Sequence, residues 1–584
     1  MELKEFLDRH ISESTDTNYI DVFPLRCGIG KTTYIKYAIS DALRNGRGLI
    51  VITDSVDRMQ EYTRNQTDDD LTEYVSKNIR KIVILNSANF SEEVKTVRYK
   101  QIVLMTTQRY FDMTREEIAG LTEYANGKRD RIIFDEKIYI TENIEIRVKT
   151  INDIDTALHE HIDDTDNPDD KAWLISQWEQ FRDRIFAIMK MYEAENDGYS
   201  LEKWHFIDDD YISEDDERFK KLIHHYRKKI NRISGTYKAL LAVVQIVENG
   251  ATFTSQKLKS KSSNSEYNNY FTVILDNKER LTNIGAKIFV LDGTADIDPD
   301  YQREFVNMID CSQFKTAYPN LTIQCVNVNT SRTRLCSRTN GNKVIKMIME
   351  YIITLPVKYD VLFSYENIAH KLKDEFMQTD YFGNIKGKNK YRDYNNFVQI
   401  GLNRFSDLAY KLKTLHILLA NTVSKNEVLM VVSKKAYEEK ARQTMYHAIM
   451  SDIEQNIFRS KLRNPDCDEP IRYLMFFNTD EFKPMIELMQ ERYKGANVFV
   501  ADTPTSFLME KIKNRDSKKD SKAQRIIDWI YEQPKGREFK ISAMLKELGL
   551  SQKNFDDAKR YNKSLVTIFR SMATDKKGYY RISR

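Results

Sequence analysis

The stretch that most constrains this chain is Asp21-Val22-Phe23-Pro24 followed by LRCGIGKTTYIKYAIS, where a short apolar run breaks into two glycines and restarts at helical spacing with Tyr34, Ile35 and Ala38. That order predicts a strand, a tight loop and a helix that opens directly after the loop. Backbone N–H groups at such a turn converge on one point and favour an anion there. Gly28 and Gly30 let the backbone curl, Lys31 follows at the distance needed to reach the terminal phosphate oxygens of a nucleotide, and the Thr32 hydroxyl is a ligand for Mg2+. Ile29 and Thr33 complete a candidate binding segment, 28–33.

Four apolar runs follow at the spacing of alternating strands and helices: LIVIT (49–53), KIVIL (81–85), QIVLM (101–105) and RIIF (131–134). The pattern predicts an α/β sheet. The last run leads into Asp135-Glu136, which places two carboxylates at the carboxyl end of a strand, where open α/β sheets bind ligands. Asp135 is positioned to hold Mg2+ through water and Glu136 to polarise an attacking water. The glycine loop resembles the Walker A motif, with Leu25 standing where that motif carries glycine or alanine. ATP and Mg2+ are the expected substrate and cofactor.

Composition narrows the class further. At roughly 150 residues per domain, 584 residues make about three or four domains. A 41% apolar share with 33 Tyr and 28 Phe supplies several cores, which excludes a disordered, collagen-like or disulfide-stapled chain. No run approaches the ~18 uncharged apolar residues of a membrane span, and MELKEFLDRH lacks an apolar signal core, so the expectation is a cytoplasmic protein with no membrane partner. The five cysteines, Cys27, Cys311, Cys325, Cys336 and Cys467, form no CxxC pair and are expected to be small core residues. His159-Glu160-His161 and His224-His225 lack the i, i+4 spacing of a helical metal site and read as solvated helix surface.

Charge is unevenly placed. Residues 511–584 hold 20 Lys+Arg and 9 Asp+Glu, a net +11, which leaves −7 for residues 1–510 out of a total of +4. Basic appendages of this kind release counterions when they meet phosphate. After the charged linker 511–522, QRIIDWIYEQ reads as a helix stopped by Pro534-Lys535-Gly536. ISAMLKELGLSQKNFDDAKRY then gives two helices around the Gly549-Leu550-Ser551 turn, with Met544, Leu545 and Leu548 inward, and Tyr579-Tyr580-Arg581-Ile582 closes as a strand. This resembles a winged-helix domain. In that fold Gln552, Lys553, Asn554 and Lys559 face the major groove and Lys576 and Lys577 sit on the wing. Winged helices also dock proteins.

With these motifs in order, the chain resembles the helicases and translocases of superfamily 2, in the divergent DEAD/DEAH-like form found on plasmids, phages and mobile elements. FDEK (134–137) takes the DExx position. Thr53-Asp54-Ser55 and Thr106-Thr107-Gln108-Arg109-Tyr110 resemble the motifs that contact a nucleic-acid backbone, which assigns Thr53, Thr107, Gln108 and Arg109 to that role. LDGTAD (291–296) resembles the motif that couples nucleotide state to the second domain, through Gly293, Thr294 and Asp296, with Arg404 as a further coupling residue. After the strand DVLFSY (360–365), Gly387-x-Asn389 with Asp393 resembles motif V and implies strand contacts from Gly387 and Asn389. EQNIFRSKLR (454–463) resembles motif VI: Gln455 and Arg459 are in place, Phe458 replaces a glycine, and Arg463 comes one residue late. That resemblance implies that Arg459 and Arg463 stabilise charge on the γ-phosphate, while their i, i+4 spacing on an expected helix also suits ordinary surface charges.

The resemblance implies an α/β fold of two tandem RecA-like domains with a helical insertion and a C-terminal winged-helix domain. The boundaries are 1–140 and 251–315 for the first RecA-like domain, 141–250 for the insertion, 316–510 for the second, 511–523 for the linker and 524–584 for the winged helix. Within the insertion, Trp173, Leu174, Trp178, Phe181, Ile185 and Ile188, and then Ile223, Tyr226, Ile230, Ile233, Tyr237 and Leu241, recur at helical spacing as inner faces of a bundle. Its acidic runs 161–170 and 207–217 repel phosphate and suit solvent or a protein partner. KLKSKSSNSEYNNY (257–270) reads as a loop. The implied activity is ATP-dependent movement on nucleic acid, with DNA favoured. A nucleotide-switched DNA-binding initiator or regulator and an RNA helicase both remain open, since backbone contacts carry most of the binding in either case.

Overall fold

The computed structural model describes residues 2–26, 28–63, 70–86, 89–162, 167–193, 216–227, 230, 235–249, 251–257, 267–314, 317–337, 340–385, 390–405, 407–420, 435–464, 467–502, 522–534, 536–561, 569, 572, 574 and 579–582. Its contacts divide the chain into two units: Met1–Gln324 with Tyr359–Met475 and Asp480–Phe499, and Cys325–Lys358 with Phe476–Thr479 and Val500–Arg584.

The first unit opens on a parallel sheet of β1 (Ile20–Phe23), β2 (Leu49–Thr53), β3 (Ile82–Leu85), β4 (Ile102–Thr106), β5 (Arg131–Asp135), β6 (Lys287–Leu291) and β7 (Val306–Met308). The seven strands run in the order β7-β1-β6-β5-β2-β4-β3, parallel throughout. Both faces are covered. Ile20, Val22, Ile50, Ile52, Val103, Met105, Ile132 and Phe134 pack on one side. Phe23, Leu49, Val51, Ile102, Leu104 and Ile133 pack on the other. Burial on both faces is why these strands read as unbroken apolar runs rather than alternating ones.

A second sheet has the order β10-β9-β11-β12-β8-β13, from β8 (Leu321–Asn327), β9 (Val361–Ser364), β10 (Gln378–Tyr381), β11 (Asn396–Ile400), β12 (Ile471–Phe477) and β13 (Asn497–Val500). β9 is parallel to both of its neighbours. The protein is thus mixed α/β with parallel sheets.

The segment between β5 and β6 corrects two expectations. Thr141–Arg147 is a strand, and with Tyr267–Asp276 and Thr252–Lys257 it makes a three-stranded antiparallel sheet. TENIEIR carries only two apolar residues, Ile144 and Ile146, and is otherwise polar or charged, so it gives no apolar run. Tyr267–Tyr270, expected in a loop, belongs to the central strand of this sheet, while 258–266 lie outside the described residues. Helices Val148–Ile162, Pro168–Glu193 and Gly235–Asn249 pack on the sheet, and Asp216–Arg227 packs on those helices. Leu174, Trp178, Phe181, Ile185, Ile223, Tyr226 and Tyr237 are buried among them, and the Trp178 indole donates to Asp155 at 2.8 Å. Ile233 and most of the acidic runs lie outside the described residues.

In the second unit, helix Lys522–Glu532 precedes strand Glu538–Lys540, which pairs antiparallel with Tyr579–Arg581. Helices Ile541–Glu547 and Gln552–Tyr561 lie between them in sequence, with Gly549 at φ +62° in the turn. Ile526, Trp529, Ile530, Phe539, Met544, Leu545, Phe555 and Phe569 form their core. Of the cysteines, Cys311 and Cys325 are buried as expected, whereas Cys336 is exposed and Cys467 half-buried. Among the described residues no helix is long and apolar enough to cross a membrane.

Candidate functional site

β1 is buried along its whole length and ends at Phe23. The chain then turns through Gly28 at φ +89° and Gly30 at φ +99° into helix Lys31–Arg44. Both angles favour glycine. Space demands it as well at the first position: a β-carbon on Gly28 would lie 2.7 Å from the Arg463 carbonyl oxygen. Gly293 is pressed against the same loop from another side, since a β-carbon there would lie 2.9 Å from the Leu25 carbonyl oxygen. Asp292 shapes the Gly293 turn by accepting from the Thr294 N–H and hydroxyl, both at 2.9 Å, and from the Tyr301 hydroxyl at 2.9 Å.

At the end of β5, Asp135 is buried and Glu136 adopts φ +96°, a backbone strain that a non-glycine residue adopts only when its surroundings impose it. Arg58, from helix Val56–Thr63 after β2, accounts for much of that surrounding. Its guanidinium donates to Glu136 Oε1 at 3.1 Å and to Glu61 Oε2 at 3.1 Å, and lies 3.4 Å from Asp135 Oδ2. Tyr62, one turn along the same helix, donates its hydroxyl to Asp135. Burial pushes the Asp135 carboxyl up against the pull of Arg58, and the neighbouring Glu136 charge adds to the push. Desolvation acts on Glu136 in the same sense, but Arg58, Arg459 and Lys31 outweigh it and hold that carboxyl below its ordinary range.

The third wall comes from residues beyond the second sheet's β11. Gln455 sits near the end of helix Lys435–Ile457, Arg459 in the turn after it, and Arg463 at the end of the short helical turn Lys461–Arg463. The single helix expected through Arg459 and Arg463 is not formed. The long helix stops at Ile457, and the Ser460 hydroxyl accepts from the Leu462 N–H at 3.2 Å, starting a new turn. Phe458, in the place of a glycine, is buried edge-on against Tyr318 with ring centroids 5.5 Å apart.

Gly28, Gly30, Lys31, Thr32, Thr33, Asp135, Glu136, Gly293, Thr294, Gln455, Arg459 and Arg463 all line one cleft of about 200 Å3. These residues span 436 positions of sequence, from 28 to 463, and Arg58, Asp292 and Phe458 complete the lining. Ile29 instead turns toward the core. Thr53, Thr107 and Arg109 are buried, the Thr107 hydroxyl donating to the Thr53 carbonyl at 3.2 Å and the Arg109 guanidinium lying over the Phe90 ring. As folded here they do not present their side chains to a strand, while Gln108 is exposed. Gly387, Asn389, Lys576 and Lys577 lie outside the described residues. Gln552 and Lys553 are exposed on helix Gln552–Tyr561, Asn554 accepts from Lys522 at 2.5 Å, and Lys559 lies over the Phe555 ring.

Arg404 does not reach the first sheet's loops. It pairs with Glu481 at 2.7 Å and Asp407 at 2.6 Å, and its guanidinium lies near the Phe482 ring. The arginine that meets the LDGTAD segment is Arg492, bonded to Asp296 and to the Gly293 carbonyl. Sequence patterning missed Arg58, Tyr62 and Arg492. The i, i+4 spacing of Arg58 and Tyr62 just after the TDS stretch was the available signal for the first two.

No protein-family model and no curated protein sequence matches this chain. Among solved structures, it is similar to one described as "Structure of S. tokodaii Xpd4", at 11% identity and a TM-score of 0.42 over 85% of this chain and 100% of that one. It is similar also to "XPD_APO", at 11% identity and 0.43 over 86% and 100%, and to "XPD_Helicase", at 11% and 0.42 over 85% and 99%.

Chemically, the cleft joins a curled glycine loop, Lys31, the threonines Thr32, Thr33 and Thr294, the carboxylates of Asp135, Glu136 and Asp292, and the arginines Arg58, Arg459 and Arg463. Among the described residues no three His, Cys, Asp or Glu side chains are gathered into a protein-only metal cage. One hydroxyl and one carboxylate beside the glycine loop, those of Thr32 and Asp135, are instead a donor set that suits Mg2+, which keeps waters and takes phosphate oxygens as further ligands.

Proposed function

We propose that this protein is an ATP-dependent nucleic-acid motor, a helicase or translocase that acts on DNA. The observation that carries this is the meeting, in one cleft, of the glycine loop and Asp135-Glu136 from the first sheet with Gln455, Arg459 and Arg463 from beyond the second. A site that needs both sheets to be complete links nucleotide chemistry to their relative position, which is what a motor requires.

In this scheme the loop N–H groups and Lys31 hold the β- and γ-phosphates of ATP. Mg2+, when bound through Thr32 and Asp135, would neutralise charge on those phosphates. Glu136 takes the proton of the attacking water, for which Arg58 must release its carboxylate. Arg459 and Arg463 stabilise charge that builds on the transferred phosphoryl group, and Phe458 keeps their segment anchored in the core. The boundaries 1–140 with 251–315 and 316–510 are assigned to two RecA-like domains, 141–250 to an insertion that offers a protein partner its surface, and 524–584 to a winged helix. The winged helix, with Gln552 and Lys553 on an exposed helix face in a segment of net +11, favours DNA.

The test is steady-state ATP hydrolysis by the full chain alone and with single-stranded DNA, duplex DNA or RNA. Stimulation that is strongest with DNA is expected. Hydrolysis that ignores all three nucleic acids would favour a nucleotide switch over a motor, and stimulation by RNA alone would reassign the substrate.

A further inference from the structure

The segment 292–300, DGTADIDPD, carries four aspartates. Asp292 serves its own turn, and the other three face cations. Asp298 and Asp300 receive Lys413 at 3.2 and 2.9 Å, and Asp298 is also bound by Lys137, the residue that follows Glu136. Lys137 and Lys413 outweigh the effect of burial and hold the Asp298 carboxyl well below the usual carboxylate range. Asp296 receives Arg492, from the end of helix Lys483–Arg492.

Arg492 uses its whole fork. Nη1 donates to both Asp296 oxygens at 3.0 and 2.9 Å, Nη2 to the Gly293 carbonyl at 2.9 Å, and Nε to Glu454. Its side chain is 6% exposed and that of Glu454 1%. Gly293 and Glu454 are not arbitrary ends for this bridge. Gly293 is packed on the backbone of Leu25 and Arg26, at the root of the phosphate loop. Glu454 precedes Gln455 on the helix whose end delivers Arg459. Glu454 Oε1 has no hydrogen-bond partner among the described residues, so this buried carboxylate leans heavily on the guanidinium.

We infer that Arg492 is a positioning residue for hydrolysis: it fixes the distance between the phosphate loop and the arginine-bearing turn by binding Gly293 and Asp296 on one side and Glu454 on the other. A planar five-donor fork can hold three acceptors at fixed angles, and a lysine cannot. The inference deepens the ATP-driven function proposed above and rests on it. A purely structural ion pair would predict lost stability and no specific effect on turnover, and Asp296→Asn separates the two. That change removes charge at a half-exposed carboxylate and leaves the Arg492–Glu454 pair intact.

The experiment compares the full-length wild type with Lys31→Ala, Asp296→Asn and Arg492→Lys for ATP affinity, kcat and KM with single-stranded DNA, thermal midpoint, and amide hydrogen exchange over 454–459 with and without ATP. Asp296→Asn should keep its thermal midpoint and its ATP affinity within about twofold. Its kcat should fall about tenfold and Arg492→Lys further, toward 10²-fold, as expected for misplacement rather than loss of a reacting group. ATP should protect 454–459 in the wild type and protect it less in both variants. Wild-type kcat in Asp296→Asn overturns the inference even if Arg492→Lys is destabilised, provided that Lys31→Ala abolishes turnover. If Lys31→Ala leaves turnover unchanged, the proposed function falls and takes the inference with it.

Discussion

The glycine-loop cleft and the C-terminal helical region use charge in opposite ways. In the cleft, residues as far apart in sequence as Lys31 and Arg459 share one space, and its carboxylates and arginines are largely buried. In the C-terminal region, Ile526 to Ile582 supply an apolar core and leave Lys553, Arg560 and Arg581 exposed. A buried charge deprived of its partner is left uncompensated and costs several kcal/mol, whereas an exposed one is screened and acts almost additively with its neighbours. Substitutions in the first region should therefore change rates and stability by orders of magnitude, and those in the second by increments.

The largest effect short of removing the phosphate-loop lysine is expected from Arg459→Ala. Turnover should fall about 10²- to 10³-fold, because a preorganised cation aimed at the phosphoryl group is lost. Rapid-quench measurement of a single turnover isolates that step. A loss under threefold would mean that the turn after Ile457 plays no part in the chemistry.

Glu136→Gln should follow at about 10²-fold, with ATP binding retained, since activation of the water alone is removed. Nucleotide affinity by fluorescence titration checks the second half of that statement. Collapse of affinity with turnover left intact would make Glu136 structural.

Arg58→Met should act on stability first. Without the guanidinium, Asp135 and Glu136 lose their closest cation, and unfolding in urea without Mg2+ should be easier by about 3 kcal/mol. An unchanged urea midpoint would show that the Arg58 pairs are screened, and the contrast between the two regions would lose its physical basis.

Lys553→Ala lies at the other extreme. If helix Gln552–Tyr561 meets DNA, the slope of log affinity against log salt should become shallower by about one unit, with turnover at saturating DNA unchanged. A rate loss as large as that of Glu136→Gln would abolish the distinction.

Much of the first sheet could be read from sequence because each of its central strands is buried on both faces, so LIVIT, QIVLM and RIIF stand out as unbroken apolar runs. The glycine loop was legible for a different reason: the backbone angles at Gly28 and Gly30 favour the residue type itself. What escaped depended on long-range placement. Arg58 looks like any arginine on an amphipathic helix until β2 and β5 are seen to be neighbours, which brings Glu136 within its reach. Arg492 is 196 positions from Asp296, and nothing local marks it over Arg404 as the residue that bridges to LDGTAD. The strand Thr141–Arg147 is mostly polar because alternate residues, Asn143, Glu145 and Arg147, are exposed, and so it lacked the apolar run by which the others were found.

The central claim is that one cleft, completed by both sheets, hydrolyses ATP in response to a nucleic-acid strand. The most direct test is the steady-state rate of phosphate release by the full-length chain with and without single-stranded DNA, beside Lys31→Ala under the same conditions. The account predicts a rate that rises at least about tenfold with DNA in the wild type and is at background in Lys31→Ala. Equal DNA-stimulated rates in the two proteins, both shown to be folded by circular dichroism, would contradict it.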